Sequence, residues 1–523
     1  MTNAAAAEFA ELDSGKATRI NFKTIFVSGI GFATDAFDIF VVNLAIPMIA
    51  YSWFFVPNSN PAKASDMPKT TTSLLKAATQ AGTLIGQLTF GYLADRFGRR
   101  AIFSLVLIIM IVATINTSTA ADTKTPIGIG PILAFWRFVL GVGIGGDYPL
   151  SASVSSENSV TKTRGLGLAA VFAMQGVGIL VASLAGVLTI LGSKPYLMPP
   201  PDNQAAYTQG FDGVWRILLF LGVIPALVGL YHRLQTPESE SFKAVKAAEE
   251  AMKNGDEEVM LDLAANARQP GEPGYLQEKY AHLEFKQVFG NFKNGKVLAA
   301  TAGCWFLLDV GFYGVQLNQS DLLKFMGYDS GANAYEYFLN LSIGNLILSL
   351  CGTVPGYWFT VFLIEKMGRI KIQLMGFTFL TAIFLVLTIF FNQLKGTVWF
   401  LVICGAANFF FNFGPNATTY VLPAEVFPTK FRSRCHGVSA AAGKAGAIVA
   451  AFGFDQLKGK DGEHMSLILG IFTACMIGGL LLTFWLPEPK GKSLEEMGDL
   501  FYSPEVVDHF DSYRPTQKVK EIV

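Results

Sequence analysis

The chain has 523 residues with 40 basic and 40 acidic side chains, so its formal net charge at pH 7 is zero. Hydrophobic residues make up 51% of the sequence and charged residues only 15%, whereas soluble domains carry about 25% charged residues. With a mean hydropathy of +0.40, this composition indicates an integral membrane protein. The 13% aromatic content and the five Cys exclude a disordered chain and a disulfide scaffold, and the neutral charge argues against a nucleic-acid partner.

Twelve apolar segments are long enough to cross a bilayer, which requires about 20 residues per helix. Those in the first half lie near 24–52, 71–94, 101–119, 128–154, 165–192 and 213–233. Those in the second half lie near 297–317, 337–364, 371–391, 396–422, 433–456 and 466–486. We therefore predict an all-α membrane protein with twelve transmembrane helices.

The polar stretches divide the chain into five parts. We predict a tail at 1–23, a six-helix bundle at 24–233, a central loop with amphipathic helices at 234–295, a second six-helix bundle at 296–487 and a tail at 488–523. The first tail has no apolar core, so we predict no cleaved signal peptide. Basic residues such as Lys16, Arg99 and Arg369 cluster in alternate loops, which predicts cytoplasmic positions for both termini and the central loop.

The two halves repeat each other in sequence. GYLADRFGRR at 91–100 corresponds to FLIEKMGRIK at 362–371, and PESESF after the sixth span corresponds to PEPKGKSL after the twelfth. Two parallel six-helix repeats are typical of secondary transporters that bind substrate between the repeats and expose it alternately to each side.

Several motifs carry a resemblance to a known family. The D-R-x-G-R-R loop, its second-half counterpart and PESESF resemble the major facilitator superfamily. GGDYPLSASVSSE at 145–157 is similar to the signature of the phosphate:proton symporters of fungi and plants, as are GFATDAFDIFVV, WFLLDVGFYGVQLNQS and FNFGPNATTYVLPAEVFPTKFRSRCHG. The resemblance implies a plasma-membrane, proton-coupled importer of inorganic phosphate that works by alternating access. The sequence shows no nucleophile–base pair and no cluster of metal ligands, so we predict that the protein is not an enzyme and uses no cofactor.

A glycine-rich motif in the fourth predicted span has a structural interpretation. Gly141-Val-Gly-Ile-Gly-Gly146 matches the G-x-G-x-x-G pattern of dinucleotide-binding loops, but no strand precedes it. It lies within an apolar span, where small residues let neighbouring helices approach closely. We therefore predict helix packing at this motif and no dinucleotide site.

Six ionisable residues lie inside predicted spans, where a charge costs about 2.5–3.5 kcal/mol on insertion scales. They are Asp35, Asp38, Arg137, Asp147, Asp309 and Lys444. The resemblance assigns proton coupling to Asp35, Asp38 and Asp147, with Arg137 beside them. The alternatives are a structural bridge between Arg137 and one of the first two carboxylates, and an inert ion pair between Asp309 and Lys444.

The chemistry around Asp309 suits monobasic phosphate. Trp305, Asp309 and Tyr313 recur every four residues and share one helix face. Lys444 supplies a positive charge, and an ionised Asp309 can only accept a hydrogen bond, which favours the hydroxyl of phosphate over fully deprotonated sulfate. Arsenate, nearly isosteric with phosphate, should also bind. The resemblance assigns the phosphate site to Tyr148, Gln175, Trp305, Asp309, Tyr313, Asn416 and Lys444.

Other polar residues receive structural or gating interpretations. Gln175 and Asn416 can alternatively act as hydrogen-bonding links between helices. Charged residues at the cytoplasmic span ends are predicted to form gate ion pairs: Asp95, Arg96, Arg99, Glu157, Arg164, Glu425 and Arg434. The five His are predicted to lie at span ends or in loops without a proton-transfer role, and we predict no metal site. The rival functions are a sugar:proton or other organic-substrate symporter and a non-transporting phosphate sensor.

Overall fold

The computed structural model describes residues 22–56, 65–97, 99–121, 128–157, 161–198, 204–235, 272–280, 283–459 and 462–502. Within these ranges the chain forms twelve long helices. In the first half, α1 comprises Phe22–Phe40 and Val42–Trp53, α2 is Lys69–Phe97, α3 is Arg99–Thr119, α4 is Ile129–Glu157, α5 is Arg164–Gly192, and α6 comprises Gln204–Phe220 and Val223–Leu234. In the second half, α7 is Phe292–Gln316, α8 comprises Ala334–Leu348 and Val354–Met367, α9 is Arg369–Leu394, α10 comprises Val398–Asn412 and Pro415–Val426, α11 is Arg432–Leu457, and α12 is Met465–Thr483. The prediction of an all-α protein with twelve spans is confirmed.

Eleven of these helical spans combine the length and apolar composition of a membrane span, and α2 does not. The reason is that α2 carries a polar face of Thr79, Gln80, Thr83 and Gln87, all of which are fully buried. These side chains lower the hydropathy of α2 but face the interior of the bundle, so α2 exposes little of its polarity to lipid.

Close packing between α2 and α4 depends on glycine. A Cβ added at Gly141 or Gly145 of α4 would overlap the carbonyl oxygen of Thr79 or Thr83 in α2. The G-x-G-x-x-G match therefore lies inside a helix at a helix–helix contact, which confirms its interpretation as a packing motif.

Four of the helical spans are interrupted. α1 is interrupted at Val41, and within its second segment Pro47 cannot donate to the carbonyl of Asn43, which instead accepts from Ser320 Oγ at 2.6 Å. In α10, Gly414 precedes Pro415, which starts the second segment. α6 breaks before Val223, and α8 contains a π-turn at Ser349–Thr353. Such discontinuous helices are typical of transporter binding sites.

The two ends of the bundle carry different charged clusters. One end, here called the Lys76 end, contains Lys76, Asp321 and Asp455. The opposite Arg369 end contains Arg369, whose guanidinium pairs with Glu365 and Glu425 at 2.8 and 2.7 Å. The names are used below for these two ends of the helices.

Segments on either side of the second bundle pack together at the Arg369 end. The backbone amides of Gly274 and Gln277, before α7, donate to the Asp499 carboxylate, after α12, at 2.7 and 3.1 Å. Asn294 Nδ2 donates to the carbonyl of Phe501 at 2.9 Å. The predicted amphipathic region thus contributes the short helices Tyr275–Lys279 and Phe285–Phe289, while its remaining part, 236–271, lies outside the described residues.

Candidate functional site

A buried ammonium lies at the centre of the molecule. Lys444 Nζ, in the middle of α11, donates to Asp309 Oδ2 at 3.2 Å and to Tyr313 Oη at 2.7 Å, both on α7. The ammonium also lies 5.4 Å from the ring centre of Tyr148 on α4. All four side chains are at most 2% exposed. The cation of the second bundle therefore faces a side chain of the first, which places this group between the two halves.

The wall around this group is aromatic. A Cβ at Gly443 would overlap the Trp305 indole, so the absence of a side chain there lets the ring approach α11 closely. The indole also makes a T-shaped contact with His436, with ring centres 5.6 Å apart. His436 lies one turn inside α11 and is fully buried, and its Nδ1 has no partner among the described residues. The expectation that every His occupies a span end or loop thus overlooks a histidine that contacts this wall.

Amide side chains lie on the neighbouring helices α5 and α10. Asn416, in the first turn after the α10 break, donates through Nδ2 to Tyr357 Oη and to Asn412 Oδ1, each at 2.8 Å. Gln175 on α5 is buried, and its Oε1 has no partner within the described ranges. Tyr357 was not identified from the sequence, because a tyrosine within an apolar span carries no signal that separates it from core packing.

Asp147 is paired with a residue that the sequence analysis missed. Arg233 Nη2, near the end of α6, donates to Asp147 Oδ2 at 2.7 Å, and both side chains are fully buried. Gly31 of α1 lies directly against this pair, and a Cβ there would overlap both partners. Arg233 was assigned to a span end, so the burial of its side chain was not foreseen from its position in the chain.

The two carboxylates of α1 have different surroundings. Both oxygens of Asp35 lack a hydrogen-bond partner among the described residues, and its charged neighbours include Asp147, Arg233 and Lys444. Asp38 accepts from Thr114 of α3 at 3.4 Å and lies against Gly222 at the α6 break, where a Cβ would overlap its Oδ1.

Arg137 is buried on α4, and its Nε donates to the carbonyl of Leu75 at 3.0 Å. It forms no ion pair with a carboxylate in the described part of the chain, although Asp38 lies within its electrostatic range. The alternative of a direct bridge from Arg137 to α1 is therefore not what the structure contains.

The predicted gate residues lie at the Arg369 end. The side chains of Asp95, Arg96, Arg99 and Glu157 lie outside the described residues. Glu425 pairs with Arg369 within the second half rather than across the halves. Glu365 does contact the first half, because its Oε1 accepts from the backbone amide of Leu166 at 3.1 Å.

The remaining two gate residues make other contacts. Arg164 Nη2 donates to Thr161 Oγ1 at 3.2 Å. The Arg434 guanidinium lies 4.1 Å from the centre of the Phe285 ring. Arg369 and Glu365 are not among the predicted gate residues, although both belong to the second-half repeat of the D-R-x-G-R-R loop.

Aromatic rings close the central group on both sides. Towards the Lys76 end, Phe40 stacks on Tyr313 with ring centres 5.9 Å apart. Towards the Arg369 end, Phe172 of α5 stacks on Tyr420 of α10 at 4.6 Å. Each stack joins one ring from the first half to one from the second. The two stacks therefore join the halves on both sides of Lys444.

The comparisons with known proteins agree with this architecture. A family profile described as "Sugar (and other) transporter" matches residues 24–294 and 341–501. The inorganic phosphate transporter PHO84 of Saccharomyces cerevisiae is 39% identical over 92% of this chain and 84% of its own length. The probable inorganic phosphate transporter 1-6 of Arabidopsis thaliana is 39% identical over 93% of this chain and 95% of its own length.

A solved structure shows the same fold at lower sequence identity. The proton:xylose symporter XylE bound to 6-bromo-6-deoxy-D-glucose superposes with a TM-score of 0.70 over 92% of this chain and 98% of its own, at 19% identity. The relatives are transporters, so the protein is a membrane transporter and not an enzyme. The chain therefore belongs to the sugar and other transporter family of the major facilitator superfamily, together with the fungal and plant inorganic phosphate transporters that it matches.

Proposed function

We propose that this protein is a proton-coupled importer of inorganic phosphate that works by alternating access with one central site. The observation that carries the proposal is the Lys444 ammonium, which is buried between the halves with Asp309 and Tyr313 as its acceptors. An ammonium at this depth is costly, and a neutral sugar would give no reason to keep it there. Relatives named as phosphate transporters cover almost the whole chain and support the same substrate.

The chemistry of the site favours a protonated oxyanion. Lys444 attracts the negative charge, while the hydroxyl of Tyr313 and the indole N–H of Trp305 are donors for phosphate oxygens. Asp309 uses Oδ2 to accept from Lys444, so Oδ1 remains as an acceptor for a phosphate hydroxyl. Sulfate has no proton to donate near neutral pH and would meet only repulsion from this carboxylate. Arsenate, which shares both the shape and the protonation of phosphate, should be accepted.

Proton coupling is assigned to the carboxylates of α1 and α4. Asp35 has no hydrogen-bond donor among the described residues, yet it interacts electrostatically with both the Arg233–Asp147 pair and Lys444. Protonation of Asp35 would remove a negative charge near the path of the incoming anion. Proton binding at Asp35 would therefore favour phosphate binding, and this coupling free energy is the requirement for coupled transport.

We propose that the protein works in the plasma membrane with both termini and the central loop in the cytoplasm. The excess of Lys and Arg in the loops on that side supports this orientation. The Lys76 end is then extracellular and the Arg369 end cytoplasmic, so the two ends of the central site open to opposite compartments in turn.

The test is uptake of labelled phosphate into proteoliposomes, with and without an inward proton gradient. We expect accumulation above the external concentration only with the gradient, competition by arsenate, and no competition by sulfate or xylose. Accumulation of xylose would identify a sugar symporter instead. Phosphate binding without uptake would indicate a sensor.

A further inference from the structure

A polar cavity of about 250 Å³ lies between the two halves at the Lys76 end. It is separate from the central site, and its walls come from α1, α2, α8, the end of α11 and the short helix Gln319–Lys324. Its charged lining residues are Lys69, Lys76, Asp321, Lys324, Asp455 and Lys458. Four ammonium groups and two carboxylates give this lining a formal charge of +2, which favours an anion.

Lys76 makes the charged contact between the halves in this cavity. Its Nζ, on α2, donates to Asn318 Oδ1 at 2.6 Å and to the two carboxylate oxygens of Asp455 at 3.1 and 3.0 Å. The residue is only 5% exposed. Both acceptors belong to the second half, so the ion pair closes the bundle at this end.

Asp455 has a second cation of its own. Lys458, three residues later, donates to Asp455 Oδ1 at 3.1 Å and to Asp321 Oδ2 at 2.7 Å. Burial alone would raise the pKa of Asp321, but Lys324, Lys458 and Lys76 outweigh it and lower that pKa well below its ordinary value. Asp321 therefore stays ionised and keeps Lys324 and Lys458 within the second half.

Opening of this end would leave Asp455 with an ion-pair partner but Lys76 without one. When α2 leaves α11, Asp455 retains Lys458, whereas Lys76 loses both Asn318 and Asp455. An ammonium that has lost its counter-charge beside a cavity of positive formal charge attracts an anion. Asn43 lines both this cavity and a narrower gap that reaches Phe40, the ring stacked on Tyr313, so the cavity lies on the side of the central site that faces this end.

We propose that this cavity is a second, outer oxyanion site, in which Lys76 exchanges Asp455 for an incoming phosphate. The same ammonium then closes the bundle in one state and receives the substrate in the next. This inference rests on the proposed function for the identity of the anion and for the extracellular position of the Lys76 end.

A pair of substitutions separates a binding site from a simple latch. Lys76→Gln and Asp455→Asn break the same ion pair, so a purely mechanical latch responds to both in the same direction. An oxyanion site responds only to loss of the cation. We expect Lys76→Gln to raise the KM for phosphate added at this end about fivefold, the size of one partly solvated charge interaction.

Asp455→Asn should leave this KM unchanged or lower it, and Lys76→Arg should restore the wild-type value. Lys395→Gln is the control, because Lys395 is exposed and does not line the cavity. Equal increases in KM in Lys76→Gln and Asp455→Asn, or no increase in Lys76→Gln, would overturn the proposal. Should Lys76→Gln not fold, the partly exposed Lys324→Gln replaces it, because it lowers the formal charge of the same lining by one, and it should also raise this KM, by a smaller factor.

A binding measurement tests the outer site without transport. In a Lys444→Ala background, which disables the central site, millimolar inorganic phosphate should raise the Tm more than it does in Lys444→Ala/Lys76→Gln. Equal shifts in the two proteins would refute an outer site. If wild-type uptake fails but this difference persists, the proposed function is wrong and the outer oxyanion site stands.

Discussion

The Lys444 ammonium donates to Asp309 and Tyr313 on α7, so removal of the cation leaves the buried Asp309 carboxylate without its paired charge. Lys444→Ala would leave Asp309 buried and negative where phosphate must bind. Removing one partner of a buried pair costs about 3–5 kcal/mol, which corresponds to a loss of affinity of several hundred-fold or more. Calorimetric titration of purified protein with phosphate measures this loss.

The exposed Lys371→Ala provides the control, since it removes the same charge from α9 away from the site. Size-exclusion chromatography should show that both variants fold. Near-normal phosphate affinity in Lys444→Ala would mean that the cation is structural and that the substrate binds elsewhere.

Selectivity for phosphate over sulfate should depend on a single residue, Asp309. Asp309→Asn preserves the shape of the side chain but adds an N–H donor. We expect weaker phosphate binding together with a measurable inhibition of phosphate uptake by sulfate. Uptake competition assays with both anions report the two effects. Unchanged exclusion of sulfate would show that the carboxylate does not determine selectivity.

Without the resemblance, site residues could be recognised from the sequence only where a residue type was unusual for its position. Asp309 and Lys444 were identifiable because a charge inside an apolar span needs a reason, and the structure brings the two together. Arg233 sat at a predicted span end and Tyr357 within an apolar stretch, so neither stood out. Their roles depend on which helix lies opposite, and that information is carried by the tertiary arrangement rather than by local sequence.

At the scale of elements, the contact between α2 and α4 is limited by backbone atoms. In Gly145→Ala the new Cβ would overlap the carbonyl of Thr83, which cannot rotate away as a side chain can. We expect a loss of about 1–3 kcal/mol in stability, the usual cost of overpacking. Thermal unfolding in detergent should show a lower Tm.

The matched control is Gly453→Ala on α11, where nothing lies within 4 Å of the added Cβ. Alanine is a better helix former than glycine, so this variant should be as stable as the wild type or slightly more so. A Tm decrease of the same size in both variants would mean that the effect is not one of helix packing.

The elements themselves were predictable in number and approximate extent, because the length of an apolar run is a local property. The break in α10 follows from Gly414 with Pro415, and Pro47 removes one backbone donor inside α1; these residues are visible in the sequence. Their consequences are not. The Asn43 carbonyl freed by Pro47 accepts from Ser320 in the other half, a partner that only the assembled bundle supplies.

At the scale of the whole molecule, contacts join the halves at both ends and at the centre. Lys76 meets Asp455 at one end, Glu365 meets the Leu166 amide at the other, and aromatic stacks lie on both sides of Lys444. Transport requires these end contacts to break in turn. The sequence repeat predicted two halves, but which residues join them depends on how the halves are oriented in space.

Coupling is a property of this whole arrangement, and it gives the last prediction. Asp35→Asn/Asp38→Asn mimics permanent protonation of both carboxylates on α1. Phosphate exchange needs only alternating access and an intact central site, so counterflow should survive. Accumulation driven by a proton gradient needs a group that gains and loses a proton in each cycle, so it should vanish.

Counterflow and gradient-driven uptake should be measured in the same batch of liposomes, with the exposed Asp66→Asn as the control for loss of a carboxylate. Loss of both activities would point to a damaged fold or site. If the double variant still concentrates phosphate against its gradient, the proton is carried elsewhere. Asp147 is then the next candidate, because it is a buried carboxylate that interacts electrostatically with Asp35 and is paired with Arg233.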